Sequence, residues 1–167
     1  VIHVSINLIV YLVFDHVIIR FNANNNSIVY QKNNRKLTSF YQTDQKEKWI
    51  GTTNGLYITF SGTNVEYDFR ELRNQHTVYI REIMPGNITV VTTKSVYIYQ
   101  SSTNRISELL PLDLKKRFPE IRSVIRAHGG LYLLGRNNVL FVKGRTIETL
   151  FDWNDEKIQG VEFNCLT

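Results

Sequence analysis

A single cysteine, Cys165, excludes an internal disulfide and leaves no cysteine-based metal motif. One methionine, almost no alanine and few leucine runs leave little from which to build helices. Only Leu112–Phe118, set between Pro111 and Pro119, reads as a helical turn, and it is confined to a connection. No apolar run is suited to crossing a membrane. The opening stretch from Val1 to Ile19 is interrupted by His3, Asn7, Asp15 and His16, and strand alternation accounts for it. That stretch also lacks the basic region and small-residue cleavage site of a secretory signal. Because the chain opens on Val1 rather than Met, it is expected to be a piece of a longer polypeptide whose ends say nothing of targeting.

The groups that carry chemistry are equally sparse. His3, His16, His76 and His128 stand apart, without the spacing that puts two imidazoles on one metal, so no metal or cofactor is implied. No nucleophile elbow surrounds a Ser or Cys, and the Asp155-Glu156 pair reads as a solvated loop. The net charge of +5 raises nucleic acid as a partner. However, Lys32, Arg35 and Lys36 fall in one connection and Lys115, Lys116 and Arg117 in another, without the one-sided cluster such binding uses. The Asn25 and Asn87 sequons matter only in a eukaryotic secretory setting.

What is present is β-forming. Phe and Tyr number nine each and Val and Ile are plentiful, and 167 residues that are 43% hydrophobic suffice for a core. A thirteen-residue pattern recurs from Val10, Trp49, Thr89 and Tyr132, at spacings of 39, 40 and 43. The clearest copy is W-I-G-T-T-N-G-L-Y-I-T-F-S, from Trp49 to Ser61. Its second column is apolar throughout (Tyr11, Ile50, Val90, Leu133), as are the eighth (Val17, Leu56, Val96, Val139) and the tenth (Ile19, Ile58, Ile98, Phe141). Between them sit Asp15-His16, Asn54-Gly55, Lys94-Ser95 and Asn137-Asn138. Asn-Gly between two β-rich runs is a strong hairpin signal, because both residues tolerate positive φ.

Each hairpin gains an outer strand (Ile28 to Gln31, Asn64 to Phe69, Arg105 to Leu110, Thr146 to Phe151). Three are also preceded by an inner strand (Leu37 to Asp44, Thr77 to Met84, Ile121 to His128), with Phe40, Ile80 and Val124 in one column. A period near 40 with such content marks propeller blades. The fold is expected to be all-β, a β-propeller-type array of about four four-stranded antiparallel blades over 1–33, 37–72, 77–112 and 121–155, with a further inner strand at 158–165. Pairing that last strand with the opening hairpin would close a ring and remove exposed edges. Alternatively Val1 to Ser5 is the inner strand of the first blade. An open, partial propeller is the favoured arrangement, with self-association through its open edges and marginal stability of the isolated piece.

Leu37 to Phe60 resembles the two-component regulator propeller repeat, V-x-S-I-x-x-D-x-x-G-x-x-W-I-G-T-x-x-G-L-x-x-F/Y. The likeness is sharp over this blade and decays elsewhere, where Trp49 is answered by Val10, Thr89 and Tyr132. It implies a periplasmic sensor propeller of the Bacteroidetes hybrid histidine kinases. Such propellers are seven-bladed, respond to carbohydrate and precede an immunoglobulin-like domain, a membrane helix and kinase modules. Partners would then be an oligosaccharide and neighbouring blades or domains, with no nucleic acid and no membrane contact from this segment. A protein-interaction scaffold of the WD-repeat or kelch sort is the alternative. A propeller lyase of the streptogramin-cleaving type would need a His and a carboxylate converging on one face, seeded by His16 or His128.

Propeller ligands meet the face built from hairpin loops and blade connections, which here supplies Asp15, His16, Asn54, Lys94, Arg136 and Asn137. These polar tips suit sugar hydroxyls, and equally suit plain solvated turns. Tyr41, Arg81, Arg122 and Arg126 lie on channel-lining inner strands, where an Arg could bind an anionic or uronic sugar, or else pair with Glu82, Glu120 or Glu162. Trp49 invites sugar stacking but falls in a core column, and Trp153 is less determined.

Overall fold

The computed structural model describes residues 2–4, 9–44, 46–60, 66–110, 120–136 and 138–152. The helical turn expected at Leu112–Phe118, the closing strand at Ile158 to Cys165, and Asn137, Trp153, Asp155, Glu156 and Glu162 lie outside these residues. Four sheets follow one another along the chain. The first holds β1 (Ile2–Val4), β2 (Ile9–Phe14), β3 (Val17–Asn22) and β4 (Ser27–Lys32), and the second β5 (Leu37–Gln42), β6 (Lys48–Thr52), β7 (Gly55–Thr59) and β8 (Glu66–Asp68). The third holds β9 (Thr77–Met84), β10 (Asn87–Thr92), β11 (Val96–Gln100) and β12 (Arg105–Glu108), and the fourth β13 (Ile121–Ala127), β14 (Gly130–Gly135), β15 (Asn138–Lys143) and β16 (Thr146–Asp152). In every sheet the spatial order is the chain order, an antiparallel meander. These are the expected four-stranded blades. β1 pairs with β2, so the first blade takes its inner strand from the start of the chain and has no need of 158–165 to complete it.

Alternation along the strands gives each inner blade two apolar faces. On β6, Trp49 points to the third blade and Ile50 to the first; on β10, Val90 points back and Val91 forward. The core is therefore three layers, one per blade interface. Tyr11, Val13 and Ile18 meet Leu37, Phe40 and Ile50. Trp49, Leu56 and Ile58 meet Ile80, Ile88, Val90 and Tyr97, with Phe69 and Leu72 sealing the rim. Val91, Val96 and Leu110 meet Ile121, Leu131, Leu133, Leu140 and Val142. Full burial of each such side chain contributes roughly 1.5–3 kcal/mol. Trp49 is fully buried, ring-stacked on Phe69 and edge-on to Tyr99, so its role is packing.

The register corrects two sequence expectations. Thr52 faces Gly55 across its hairpin and Val91 faces Val96, so the corners are Thr53-Asn54 and Thr93-Lys94, one residue earlier than the Asn54-Gly55 and Lys94-Ser95 read from the pattern. Likewise Asn138 already belongs to β15. Gly55 opens β7 at φ +140 rather than filling the corner. In the first blade Phe14 faces Val17 and the corner is Asp15-His16, as expected. The first copy is consequently one residue out of step: Tyr11, not Val10, matches Trp49. A one-residue slip exchanges the two faces of a strand. This is why Tyr11 and Ile18 face the second blade, whereas Val17 and Ile19, placed in the eighth and tenth columns, point away from it.

Each of the three later inner strands bulges at its second residue: the register shifts between Leu37 and Ser39, between Tyr79 and Thr77, and between Ile121 and Ser123. The bulge re-aims side chains toward the next blade. Thr38 Oγ1 and Ser39 Oγ both donate to Thr77 O, and Thr77 Oγ1 donates to Gly55 O at 3.2 Å. Gly51 permits this approach. A Cβ there would fall 2.0 Å from Ser39 Oγ and 2.8 Å from Thr77 Cγ2. Gly51→Ala is expected to lower stability by about 1–3 kcal/mol, seen as a lower urea midpoint at unchanged slope. An unaltered midpoint would show that β5 and β9 can spread at no cost.

Candidate functional site

The hairpin corners and the blade connections share one end of the stack. Thr53 N donates to Lys36 O at 3.2 Å and Thr93 N to His76 O at 2.9 Å, while Ile121 N donates to Thr93 O at 2.8 Å. Asp15, His16, Asn54, Lys94 and Arg136 are therefore brought to a common end, all with exposed side chains. Asp15 pairs with Lys36 at 3.8 Å, a solvated contact. Asn54 N and Lys94 N are held by Thr52 Oγ1 and Thr92 Oγ1, at 3.1 and 3.2 Å. These two buried threonines, unnoticed in the pattern, set the corners from inside.

Beneath the corner of the third blade lies a polar network that sequence reasoning missed. Thr92 Oγ1 donates to Gln75 Oε1 at 2.8 Å, and Gln75 Nε2 donates to Tyr97 Oη at 2.9 Å and to Glu71 O at 3.0 Å. Its members come from a connection and two strands. Only the repeated T-T-N-G and T-T-K-S letters hinted at it.

The inner-strand candidates separate into two clefts. Between the second and third blades Tyr41 Oη donates to Glu82 Oε2 at 3.3 Å, and Glu82 Oε1 accepts from Gly86 N at 2.6 Å. Glu82 is thus engaged by Tyr41 and the backbone, not by Arg81. Arg122 does pair with Glu120, at 3.3 Å on an exposed surface. Between the third and fourth blades the balance differs. Arg126 occupies the place in β13 that Glu82 holds in β9, two residues beyond Val124 and Ile80. Alternation directs Tyr79 and Arg81 from β9 and Arg126 from β13 into this cleft. The Tyr79 hydroxyl is buried without a hydrogen-bond partner. Burial raises its pKa, and the charges of Arg81 and then Arg126 pull the other way. Both arginines are exposed and, among the described residues, neither has an ion pair. The arrangement can receive a carboxylate.

His16 sits in the β2–β3 corner and His128 in the β13–β14 turn, where Nδ1 lies 3.0 Å from Tyr132 Oη. These turns are at opposite ends of the stack and in its first and last blades. The two histidines do not converge.

Four successive four-stranded meanders packed face to face define a β-propeller segment. No protein-family model and no curated relative matches the sequence. Solved structures do. A catalytically inactive virginiamycin B lyase from Staphylococcus aureus, solved with quinupristin, superposes with a TM-score of 0.71 at 9% identity, over 90% of this chain and 54% of that one. The extracellular domains of two proteins described as hybrid two-component systems of B. thetaiotaomicron each superpose with a TM-score of 0.70. One is 13% identical over 96% of this chain and 23% of that one, the other 14% over 91% and 21%. The chain thus spans about half the length of the lyase and under a quarter of either sensor domain. The fold agrees with the propeller resemblance carried by Leu37 to Phe60. No helix among the described residues is long and apolar enough to cross a membrane.

The clefts predict an alkaline limb in stability. Burial, then Glu82, pushes the Tyr41 phenol up to about 12 from an ordinary 10.0, and burial raises Tyr11, Tyr79 and Tyr97 as well. A phenol whose folded pKa exceeds the unfolded one contributes stability that is full below the unfolded value and lost as pH rises through the folded value. Stability measured by urea denaturation should fall between pH 10 and pH 12. Tyr41→Phe should flatten part of that fall; an equal slope in the variant would remove Tyr41 from the account.

Proposed function

We propose that the chain is the ligand-binding part of a non-catalytic sensor propeller, and that its ligand is an acidic oligosaccharide whose carboxylate docks between Arg81 and Arg126 beside Tyr79. The observation that carries this reading is the partnerless Tyr79 hydroxyl flanked by two arginines without counter-ions among the described residues. In the preceding cleft a carboxylate, Glu82, meets a tyrosine hydroxyl from within the protein. In this one the carboxylate would come from outside. Arginine suits a uronate because its planar fork matches both oxygens. The exposed corner residues Asp15, His16, Asn54, Lys94 and Arg136 would meet sugar hydroxyls only if the saccharide reached the opposite end of the inner strands. The likeness to extracellular sensor domains supports a sensing role and a periplasmic setting.

The end blades support the partner that this reading requires. Phe14 and Ile28, 57% and 52% exposed, share the outward face of the first blade with Val10, Leu12, Val17, Ile19 and Phe21. Tyr132, Leu134, Val139 and Phe141 share the outward face of the fourth. Both faces suit further blades of a longer polypeptide. They are also what favours the second reading, a protein-interaction scaffold of the WD-repeat or kelch type. The lyase likeness supports an enzyme less, because His16 and His128 lie at opposite ends.

Calorimetric titration with neutral and uronic-acid oligosaccharides tests the proposal. Uronic-acid members should bind and neutral ones should not. Arg81→Ala or Arg126→Ala should each weaken binding tenfold or more, as expected when a charged hydrogen bond of about 1.5–3 kcal/mol is lost. Silence across the panel, or binding indifferent to both substitutions, would sink the saccharide reading and leave the scaffold.

A further inference from the structure

A second cationic cleft lies between the first and second blades, apart from Arg81 and Arg126. Arg20 on β3 lies opposite Tyr11 of β2 and shares its face, and Lys48 begins β6 opposite Gln42 of β5. Alternation turns Arg20 and Gln31 forward from the first blade and Gln42 and Lys48 backward from the second, so all four enter one interface at the edge of the apolar layer around Tyr11 and Phe40. Lys48 Nζ donates to Gln31 Oε1 at 3.3 Å. Arg20 and Gln42 each donate to the Tyr11 hydroxyl, which leaves two buried atoms, Arg20 Nε and Gln42 Oε1, without a hydrogen-bond partner. Burial, and then the Arg20 charge, lower the Lys48 pKa. Two like charges half-withdrawn from water without a counter-ion are unfavourable, and a bound anion relieves both the repulsion and the lost hydration.

We propose that this cleft binds a small oxyanion, clasped by Arg20 from one blade and Lys48 from the next, and that the anion ties the two blades together. The guanidinium and ammonium supply the charged donors. Free inorganic phosphate and the carboxylate of a sugar acid share this chemistry. Because the ligand bridges two blades, its binding stabilises the stack by mass action.

Thermal unfolding of the full chain, followed with low-millimolar phosphate or glucuronate against chloride at matched ionic strength, provides the test. A saturable rise in Tm is expected in the wild type. It should be lost in Arg20→Gln and Lys48→Gln, retained in Lys48→Arg, and unaffected by Arg81→Ala, so this site fails or stands independently of the saccharide site. A rise with phosphate alone assigns a free inorganic ion, and one with both assigns a ligand carboxylate as well. If one of the Gln variants does not fold, calorimetric titration of phosphate into wild type and Lys48→Arg replaces the melt. No rise with either anion, an equal rise in Lys48→Gln, or no heat in that titration would overturn the proposal and mean that the Tyr11 hydroxyl and solvent suffice for Arg20 and Lys48.

Discussion

A β-strand sends alternate side chains to opposite faces, and in the two middle sheets both sets are apolar. Everything else in the stack follows from having to cover them. Trp49 and Ile50 are neighbours in the chain yet belong to different hydrophobic layers, one shared with the third blade and the other with the first. Val90 and Val91 repeat the arrangement one blade on. A sheet with two apolar faces cannot stand alone in water, so stability resides in interfaces rather than in blades. The end sheets, each with one uncovered apolar face among the described residues, show the same rule from the other side.

The polar groups are placed by what this packing leaves over. Side chains at the edges of an apolar layer face a neighbouring blade without being sealed by it, and their charges must be answered by whatever that blade presents. Between the second and third blades Glu82 answers Tyr41. Between the third and fourth, Arg81 and Arg126 face Tyr79, and between the first and second Arg20 faces Lys48. All three clefts lie between sheets of the same strand order, and the later inner strand of each carries the same register shift. The side chains at equivalent positions decide whether a cleft is satisfied from within, as Glu82 satisfies Tyr41, or keeps buried polar atoms without a partner, as at Tyr79 Oη and Arg20 Nε.

Much of this frame could be read from the chain. The inner strand expected at Thr77 to Met84 is β9 residue for residue, and the burial of Trp49 followed from its column. In the second and third blades the corner lies one residue before the pair that the letters indicate, because a small residue just after a turn reads as part of it. Gly55 is needed instead for its φ of +140 at the start of β7, and Thr52 holds the corner. The first copy begins one residue later than the letters indicate, because in a sheet whose two faces are both hydrophobic V-Y-L-V-F reads equally well in either register. The bulges left no mark in the letters. Of the candidate residues, Asp15, His16, Asn54, Lys94 and Arg136 share a common end, and Arg81 and Arg126 share a cleft beside Tyr79. Arg20 and Lys48, 28 positions apart in the chain, were not singled out.

Local chemistry by itself determined that this chain forms short antiparallel meanders at a period near 40, since β-branched and aromatic runs, turn residues and strand periodicity act within a dozen residues. Which face of each strand meets which neighbour, and hence which charges confront one another, was decided only by the packing of sheet on sheet. Register along a strand is a local matter of hydrogen bonds, whereas the partner across a cleft is set by side chains some 40 residues away that the alternation of a single strand cannot specify.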